Sequence, residues 1–402
     1  MLHCPAFVFT LLFPLALLLS LSAIGFYSYA IYAVWQFRQS SPAPATDFAP
    51  GVSILKPICG FDSQTYANLA SFCCQSYPQY QIIFGVQDSN DASLKVIKQI
   101  IQDFPRVDIQ YVINDRHLGN NRKVNNLASA LSRAQYDVLV LADSDVRVGP
   151  DYLQRVVQPL RHPQVGVITC LYRSLCQGWV TTLEALGKVT EFHPGVLVSH
   201  QLEGIKFALG QTIVMRRTVL EAIGGFKAIA NFLADDFQLG YLPAQAGYRV
   251  ELSSYVVNHV LSQDTFVNAL QRQIRWMVGI RVSRPWGYAG LIFTYGTLAS
   301  SVLVLLSGGT TFSWLIWSVT WFTRLLMGWM VGVYGLQDGI ARSWFWLSPF
   351  WDVISFFLWC YGFFGNTFRW RSQWYRLSRI GELEMLTEGV STPPRPVPVE
   401  PG

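Results

Sequence analysis

Charged side chains are scarce in this chain of 402 residues. Asp, Glu, Lys and Arg make up 14% of the sequence and hydrophobic residues make up 51%, whereas a soluble protein carries about 25% charged residues. The chain has 30 Lys and Arg residues against 25 Asp and Glu residues. So small an excess of positive charge predicts no nucleic-acid partner, because nucleic acids are bound by strongly basic surfaces. The lack of charge points instead to a membrane protein.

Motifs built from cysteine are also absent from the sequence. The seven cysteines are scattered, without a CxxC spacing or a cluster of Cys and His. This pattern argues against a structural zinc site and against a framework of disulfide bonds. Order is expected to be lacking at the C-terminus, because the Pro- and Glu-rich composition of residues 381–402 predicts a disordered tail.

Long apolar runs lie towards the two ends of the chain. Residues 7–35 contain no charged side chain and exceed the ~20 residues that span a bilayer. They predict a transmembrane anchor rather than a cleaved signal peptide, because residues 1–6 lack the Lys or Arg with which a signal peptide begins. Arg324 lies in a later apolar stretch and is expected to face a neighbouring helix or a polar cavity, since a cation that faces lipid is costly. Transmembrane helices are also predicted at 288–307, 312–335 and 344–366.

The cations beside these segments predict their orientation. The residues before the first span carry no Lys or Arg, and Arg38 follows it, so the positive-inside rule places the domain between the two ends in the cytoplasm. The sequence thus predicts a multi-pass integral membrane protein. Four spans would leave the tail outside, yet four arginines that follow the last stretch favour the inside, namely Arg369, Arg371, Arg376 and Arg379. The side of the tail, and whether one late stretch is re-entrant, stay open at this point.

The region between the apolar ends has the pattern of alternating strands and helices. Strands are predicted at 51–57, 81–88, 107–115 and 136–143, with helices between them at 63–75, 91–103 and 123–134. Such alternation predicts an α/β domain with a Rossmann-like, mostly parallel sheet joined by right-handed crossovers. Ligands of these sheets bind beyond the carboxyl ends of the strands.

Carboxylates follow two of the predicted strands. The second strand ends in Asp88, and the fourth ends in Asp143 and Asp145, separated only by Ser144. Two carboxylates so close repel each other, and a hard divalent cation binds one or two carboxylates together with substrate phosphates. The pair therefore predicts a Mg²⁺ or Mn²⁺ site with Asp143 and Asp145 as its ligands. The plainer alternatives are turn and helix-capping roles for these aspartates.

Further candidate residues lie on either side of this pair. Lys123, in the loop LGNNRKVNN at 118–126, precedes a helical pattern and is a candidate phosphate ligand, although the loop lacks Walker A spacing. A solvated lysine is the alternative. Asp235 and Asp236 begin another helical pattern, where the helix dipole favours acidic residues. Asp236 is also a candidate general base, because a carboxylate in a closed cleft can take the proton of an attacking hydroxyl.

A basic amphipathic helix is predicted after the domain, over 263–287. An apolar stripe at helical spacing predicts that this helix lies on the membrane surface. Gln271 and Arg275 share a different face, and Arg275 suits a leaving diphosphate because arginine makes bidentate, permanently charged contacts. A helix that only binds anionic lipid is the alternative. The stripe consists of Phe266, Val267, Leu270, Ile274, Met277 and Val278.

Taken together, these ordered motifs resemble those of membrane-bound inverting glycosyltransferases with a GT-A catalytic domain. The blocks GVQDSND, NNRKVNNL, ADSDVRV, FLADDF and QIRW are similar to those of ceramide glucosyltransferases, glycosyltransferase family 21, and of related bacterial enzymes that glycosylate hopanoid lipids. The resemblance covers about 50–290. It implies a GT-A catalytic domain over 50–262, a UDP-sugar donor, a membrane-lipid acceptor and a β-linked product.

The resemblance also implies roles for the matching donor residues. Asp88 would contact the nucleotide base, and Asp143 and Asp145 would hold the cation and the diphosphate. The motif QRQIRW at 271–276 would bind the diphosphate and close the site through Gln271, Arg275 and Trp276.

On the acceptor side, the resemblance makes Asp236 the general base. His193 of EFHPG, and with it Asp235, would lie near the lipid, a structural histidine being the alternative. The sequence departs from animal ceramide enzymes in having DSD at 143–145 where those tend to have DSG, and TCLYRS at 169–174 looks more like the hopanoid branch. The expected function is transfer of a glucose-type hexose to ceramide. Its alternatives are a hopanoid-lipid N-acetylglucosaminyltransferase, a processive polysaccharide synthase and a non-enzymatic membrane transporter.

Overall fold

The computed structural model describes residues 4–39, 48–113, 117–370 and 373–386. The strands in these residues are β1 (Val52–Pro57), β2 (Tyr80–Val86), β3 (Asp108–Ile113), β4 (Val138–Ala142), β5 (Val146–Arg147), β6 (Val165–Cys176), β7 (Thr212–Arg216), β8 (Arg249–Leu261), β9 (Thr367–Trp370), β10 (Gln373–Leu377) and β11 (Leu383–Met385).

The α-helices in the same residues are α1 (Cys4–Gln39), α2 (Thr65–Cys73), α3 (Ser93–Asp103), α4 (Arg122–Leu131), α5 (Tyr152–Val156), α6 (Trp179–Gly187), α7 (His193–Glu203), α8 (Arg217–Ala222), α9 (Asp235–Gln245), α10 (Phe266–Ser283), α11 (Pro285–Gly290), α12 (Gly296–Leu306), α13 (Thr311–Trp329), α14 (Gly339–Trp344) and α15 (Ser348–Gly362). Turns of 3₁₀-helix cover Gln158–Arg161, Phe226–Ile229, Leu291–Thr294 and Phe345–Leu347, and π-helical turns cover Lys188–Phe192 and Met330–Gly335.

Eight strands form one sheet in the order β3-β2-β1-β4-β7-β6-β8-β5. The first four strands pair in parallel, β6 and β8 also pair in parallel, and β7 runs antiparallel between β4 and β6. The carboxyl ends of β1, β4, β6 and β8 therefore meet at one edge of the sheet, where β7 begins. The prediction of a mostly parallel α/β domain is confirmed.

The central strands are apolar along their whole length because the sheet is covered on both faces. Every residue of β1 and of β4 is buried. Successive side chains point to opposite faces, so Ile54 and Val140 pack into one apolar core while Leu55 and Leu141 pack into the other. The four predicted strands and three predicted helices all form, with small shifts at their ends. The end of the third predicted strand, at 114–115, lies outside the described residues.

The N-terminal apolar run forms the long helix α1. Within the described chain, Leu11–Gln39 is the one helix long and apolar enough to cross a membrane. The number rises to two if a bent pair, Pro285–Thr294 and Gly296–Leu306, is one span. The transmembrane helix predicted at 288–307 is not one continuous helix, because the chain bends by 50° around Tyr295, whose backbone is not helical.

Of the other two predicted late spans, one is helical throughout and one is shorter than predicted. The stretch at 312–335 forms α13 and then a π-helical turn, Met330–Gly335. The stretch at 344–366 gives only the 15 residues of α15, Ser348–Gly362, which is shorter than the ~20 residues that span a bilayer. Pro349 lies in its first turn, and extended chain follows from Thr367.

Arg324 of α13 faces neighbouring helices, as predicted. It is fully buried, and its Nη2 lies 2.6 Å from Oδ1 of Asp352 on α15. Its guanidinium also lies over the ring of Tyr27 on α1, 5.6 Å from the ring centroid. A buried cation is tolerated when it is paired and hydrogen-bonded. This contact ties the N-terminal helix to the late helices.

The chain after α15 forms a second, antiparallel sheet in the order β11-β10-β9. Residues 383–385 belong to this sheet, with Leu383 buried, so the predicted disordered tail at 381–402 does not begin at residue 381. Residues 387–402 lie outside the described part of the chain, and so does Arg371.

Candidate active site

A cavity of about 270 Å³ opens at the edge of the main sheet where β1 and β4 end. Its walls come from four parts of the chain: the end of β1, the start of α4, the DSD turn after β4, and α10 with the C-terminal sheet. The lining residues are Pro57, Ile58, Cys59, Arg122, Lys123, Asn126, Asp143, Ser144, Asp145, Arg275, Trp370, Gln373 and Tyr375. The site is therefore mixed in charge, with carboxylates and cations around one space.

Lys123 joins the two acidic pairs. Its Nζ lies 2.8 Å from Oδ1 of Asp143 and 3.4 Å from Oδ2 of Asp235. The helix start holds this lysine in place, because the side chain of Asn121 accepts hydrogen bonds from the backbone N–H of Lys123 and Val124. Burial disfavours the charge, but Asp143 and Asp235 outweigh burial and raise the pKa of Lys123 above its usual value. Lys123 is therefore a half-buried, protonated link between the two acidic pairs rather than a solvated lysine.

Asp145, the second carboxylate of the DSD turn, has one oxygen with a side-chain partner and one without. Oδ2 of Asp145 lies 3.3 Å from Nε2 of His259 on β8. Oδ1 is buried and makes no hydrogen bond. Burial raises the pKa of Asp145, but His259 and then Lys188 and Lys123 outweigh it and lower the pKa to about 2. Asp145 is therefore ionised, it lines the cavity, and one of its carboxylate oxygens lacks a hydrogen-bond partner.

A divalent cation fits this arrangement. Asp143 and Asp145 both line the cavity, and the orphaned Oδ1 of Asp145 is a hard ligand of the kind that Mg²⁺ and Mn²⁺ prefer. Over the part of the chain that the structure describes, no group of three or more His, Cys, Asp and Glu side chains forms a metal site. Two carboxylates would thus need the phosphates of a bound donor to complete the shell.

Asp236 differs from the other aspartates of the site. Its Oδ1 accepts a hydrogen bond from the N–H of Phe237, within its own helix. A Cβ atom at Gly210 would meet Oδ2 of Asp236 at 2.9 Å, so the glycine leaves room for this carboxylate. Burial, and then the like charge of Asp235, raise the pKa of Asp236 to about 6. A carboxylate with this pKa is suited to accept a proton near neutral pH.

Sequence reasoning missed Lys56, a buried cation behind the DSD turn. Its Nζ donates to the backbone oxygen of Asp143 at 2.9 Å and lies 3.6 Å from the centroid of the Phe72 ring. Burial lowers its pKa to about 7. The signal was present in the sequence, because Lys56 is the one charged residue in the otherwise apolar strand GVSILKP.

A second missed feature is a chain of buried charged groups that leads from Asp145 to α10. His259 contacts Asp145, and Nζ of Lys188 lies 3.5 Å from Nδ1 of His259. Lys188 in turn pairs with Glu184 at 2.9 Å, and Glu184 pairs with Arg272 at 2.6 Å. Lys188 and Glu184 are almost wholly buried. This chain connects the DSD turn to the QRQIRW segment.

The QRQIRW residues are placed differently from one another. Arg275 lines the cavity, and its guanidinium lies 5.1 Å from the ring centroid of Trp370. Trp276 does not line the cavity; its ring lies 4.6 Å from Nζ of Lys188. Gln271 is exposed and also lies outside the cavity lining. The structure thus brings Arg275 to the carboxylates but not Gln271.

Asp88 and His193 also lie outside the cavity lining. Asp88 follows β2 at the same edge of the sheet, but it is exposed and accepts a hydrogen bond from the N–H of Asn90. His193 is fully buried, with its ring 4.4 Å from that of Tyr172, and neither ring nitrogen makes a hydrogen bond of normal geometry. Burial lowers the pKa of His193 to about 3.

The fold is similar to that of a protein of known structure. A mannosyltransferase from Pyrobaculum calidifontis in complex with GDP-Man and Mn2+ superimposes with a TM-score of 0.50 at 17% identity, over 85% of this chain and 98% of that chain. At this identity the likeness concerns the fold alone.

Curated proteins and a family model match the sequence itself. Ceramide glucosyltransferase 1 of Caenorhabditis elegans is 24% identical over 91% of this chain and 78% of its own length. Ceramide glucosyltransferase 3 of the same organism is 27% identical over 57% of this chain, which spans half the length of that relative. The model of glycosyl transferase family 21 matches residues 15–383. The chain therefore belongs to glycosyl transferase family 21.

Proposed function

We propose that the protein transfers one hexose from a UDP-sugar to the hydroxyl group of a membrane lipid, with ceramide as acceptor and a β-glycoside as product. The observation that carries the proposal is the position of Lys123 between the DSD turn and the acidic pair of α9. It brings a phosphate-binding side and a candidate base side into one site. The fold is of the GT-A type in this proposal.

On the donor side, Asp143 and Asp145 would hold Mg²⁺ or Mn²⁺. When bound, the cation would neutralise the diphosphate of the donor as it leaves. Lys123 and Arg275 line the same cavity and supply permanent positive charge for the diphosphate oxygens. Lys56 holds the backbone of the DSD turn in place through Asp143. Asp88 contacts the nucleotide base, and Gln271 and Trp276 join the donor side when the site closes.

On the acceptor side, Asp236 acts as the general base. Its pKa of about 6 leaves it ionised at neutral pH and able to take the proton of a lipid hydroxyl as that oxygen attacks the anomeric carbon. The metal-binding pair is separate from it, so a single displacement inverts the configuration of the sugar. Asp235 supports the base through Lys123. His193 lies on the acceptor side, behind Tyr172.

The helices and the C-terminal sheet support a multi-pass protein with the catalytic domain in the cytoplasm. The C-terminal sheet contributes Trp370, Gln373 and Tyr375 to the cavity, so the chain after α15 lies on the same side of the membrane as the domain. The number of crossings between α10 and this sheet is therefore even. We assign them to the bent pair ending in α12 and to α13 with the π-helical turn after it. This second helix is less apolar than α1, but it continues from Thr311 to Gly335 and exceeds the ~20 residues that span a bilayer. The remaining helix, α15, does not cross the membrane in this assignment. Its C-terminal residue Gly362 packs against Tyr288 and Met277, which lie on the domain side.

The apolar stripe of α10 supports contact with the membrane surface over half its length. Phe266, Val267 and Leu270 are exposed, and Ile274, Met277 and Val278 pack instead against the C-terminal sheet and α15. We therefore assign only the first two turns of α10 to the interface.

Charging these first turns should separate activity from membrane insertion. Leu270→Asp is expected to reduce lipid glycosylation about tenfold, because a charge at an apolar interface is unfavourable, while the protein stays in the membrane through α1. Leu270→Met, which keeps an apolar side chain at the same position, is the matched control and should keep activity. Activity is measured in vesicles, and membrane retention by carbonate extraction. Equal activity of Leu270→Asp and the parent would contradict the interfacial placement.

The proposed function is tested with purified protein in vesicles that contain ceramide, hopanoid or diacylglycerol, each offered UDP-glucose, UDP-galactose and UDP-N-acetylglucosamine. Mass spectrometry is expected to find ceramide carrying a single hexose. If hopanoid is modified with N-acetylhexosamine instead, the proposed acceptor is wrong and the protein is a hopanoid-lipid N-acetylglucosaminyltransferase. Chains of several sugars would indicate a polysaccharide synthase, and no turnover with any pair would exclude transfer as the function.

A further inference from the structure

The C-terminal sheet β9–β11 forms part of the cavity wall although it carries none of the sequence motifs. Trp370 of β9 and Gln373 and Tyr375 of β10 line the same space as the DSD turn. We propose that this sheet is part of the nucleotide-sugar site, in which Trp370 positions Arg275 toward the diphosphate and Gln373 contacts the donor. The inference rests on the proposed function, because it concerns the donor of the same site.

The sheet packs on the helix that carries Arg275. Its buried apolar residues and Val278 of α10 form one cluster, against which Ile274 and Val282 of the same helix also pack. Ile274 directly precedes Arg275, and Val278 follows it by three residues. The position of the guanidinium therefore depends on how the sheet is seated. The cluster residues from the sheet are Phe368, Tyr375, Leu377 and Leu383.

Hydrogen bonds tie the sheet to the two loops that precede Lys123 and the acidic pair of α9. The N–H of Leu383 donates to the oxygen of Asn231 at 2.6 Å, and the N–H of Leu233 donates to the oxygen of Gly381 at 3.1 Å. The side chain of Asn120 donates to the oxygen of Leu383 at 2.6 Å. The first two contacts lie just before Asp235, and the third just before Lys123. The sheet thus braces both sides of the site.

Trp370 meets Arg275 through the face of its ring, with the guanidinium carbon 5.1 Å from the centroid. A cation over an indole face is attracted by the ring quadrupole. Phosphate oxygens bind a guanidinium through the N–H groups on its edge, in a fixed fork geometry. A ring that fixes the plane of the guanidinium would therefore also fix the direction in which it meets a diphosphate.

The neighbouring tryptophan of the sheet provides a matched control. In the β9–β10 pair, Gln373 is opposite Trp370 and Trp374 is opposite Arg369. Successive residues of a strand point to opposite faces, and Trp374 is 43% exposed and outside the cavity lining. Trp370 and Trp374 thus share residue type and sheet but differ in the face that they occupy.

The test measures binding of UDP to the full-length protein in nanodiscs by calorimetry, with Mn²⁺ present. Trp370→Ala should weaken UDP binding about tenfold, and Trp370→Phe should keep it within about threefold, because phenylalanine retains a ring face. Trp374→Ala should bind as the parent does. In enzyme assays, Gln373→Ala should raise the donor KM about threefold and leave the acceptor KM unchanged.

A double-mutant cycle separates positioning from a general structural role. If Trp370 acts through Arg275, then Trp370→Ala should have little further effect on UDP binding in an Arg275→Ala background. Losses in the double variant that equal the product of the two single losses would overturn the positioning role. UDP binding in Trp370→Ala equal to that of the parent would overturn it as well. If Trp370→Ala does not fold, the cycle is run with Trp370→Leu.

Nucleotide binding by the parent protein shows whether the proposed function itself fails, separately from the role of the sheet. UDP, GDP, ADP and CDP are first titrated into the parent protein. If the parent binds another nucleotide in place of UDP, the proposed donor is wrong, and the same variants are tested with the nucleotide that binds. If the parent binds none of the four, both proposals are overturned.

Discussion

Two acidic pairs lie on either side of Lys123, and their surroundings differ. At the end of β4, Asp143 pairs with Lys123 at 2.8 Å, and Asp145 contacts His259 at 3.3 Å. At the start of α9, Asp235 contacts Lys123 at 3.4 Å, whereas the hydrogen bond of Asp236 is to the backbone of its own helix. The pKa of Asp145 is held at about 2 and that of Asp236 is raised to about 6.

The comparison shows how surroundings can suit one type of side chain to two different roles. Asp145, which lies beside basic groups, stays ionised and is suited to bind a cation, whereas burial raises the pKa of its neighbour Asp143. An aspartate that is partly desolvated beside another carboxylate is a better proton acceptor. Sequence spacing alone would not separate the two pairs, because both are short acidic motifs that precede or begin regular structure.

Removing the carboxylate of Asp145, a proposed metal ligand, should reduce activity most. We expect Asp145→Ala to abolish UDP binding and transfer, since the donor diphosphate loses its cation and a loss of roughly 10³-fold or more follows. Excess chelator should do the same to the parent enzyme. The control is Asp151→Ala, at an exposed aspartate of the same domain. Full activity in chelator would contradict the metal site.

Removing the proposed base should affect transfer but not donor binding. Asp236→Asn keeps the shape of the side chain and removes its basicity, so turnover should fall roughly 10²–10⁴-fold. UDP binding, measured by calorimetry, should stay within a few-fold of the parent. Turnover within tenfold of the parent would show that Asp236 serves only the helix terminus.

The dependence of rate on pH should follow the raised pKa of Asp236. Its active form is deprotonated, so the rate should fall as pH drops through about 6, approaching tenfold per pH unit below that value. Because the folded pKa lies above the usual value of aspartate, protonation of Asp236 itself favours the folded state and does not contribute to acid unfolding. The test is a profile of kcat at saturating substrates, with thermal unfolding at each pH. A flat profile between pH 5 and 7 would contradict the assignment.

The smallest effect on turnover is expected for substitution of Asp235, the carboxylate next to the proposed base. Asp235→Asn removes a contact of Lys123 and a like charge beside Asp236. We expect turnover to fall about tenfold or less and the pH profile to shift to lower pH, because the like charge raises the pKa of the base. A loss as large as that of Asp236→Asn would mean that the two carboxylates share the role of base.

The sequence predicted the parts of the site that depend on local pattern. Apolar strands followed by aspartates placed Asp143 and Asp145 at the carboxyl edge of a parallel sheet, and the order of motifs predicted the family, which the family match confirms. Residues brought in from distant strands were not predictable in this way. His259 lies at the end of β8, more than a hundred residues after Asp145, and nothing in its own segment marks it.

The C-terminal half of the chain shows why composition alone does not predict where helices break and which segments reach the cavity. The apolar stretch at 288–307 contains a break at Tyr295, and α15 ends after 15 residues, so hydrophobicity predicted longer unbroken helices than the structure has. The segment from Thr367 to Met385 has the alternation of short strands, but its place on the cavity depends on packing against Val278. Long-range packing of this kind leaves little trace in a single sequence.

The most direct test of the account is the anomeric configuration of the lipid product. Purified protein is incubated with an α-linked UDP-hexose and ceramide vesicles, and the glycolipid is analysed by proton NMR. One metal-assisted donor side and one separate base at Asp236 predict a single hexose in β linkage. An α-linked hexose, or product formed at the parent rate by Asp236→Asn, would contradict the account.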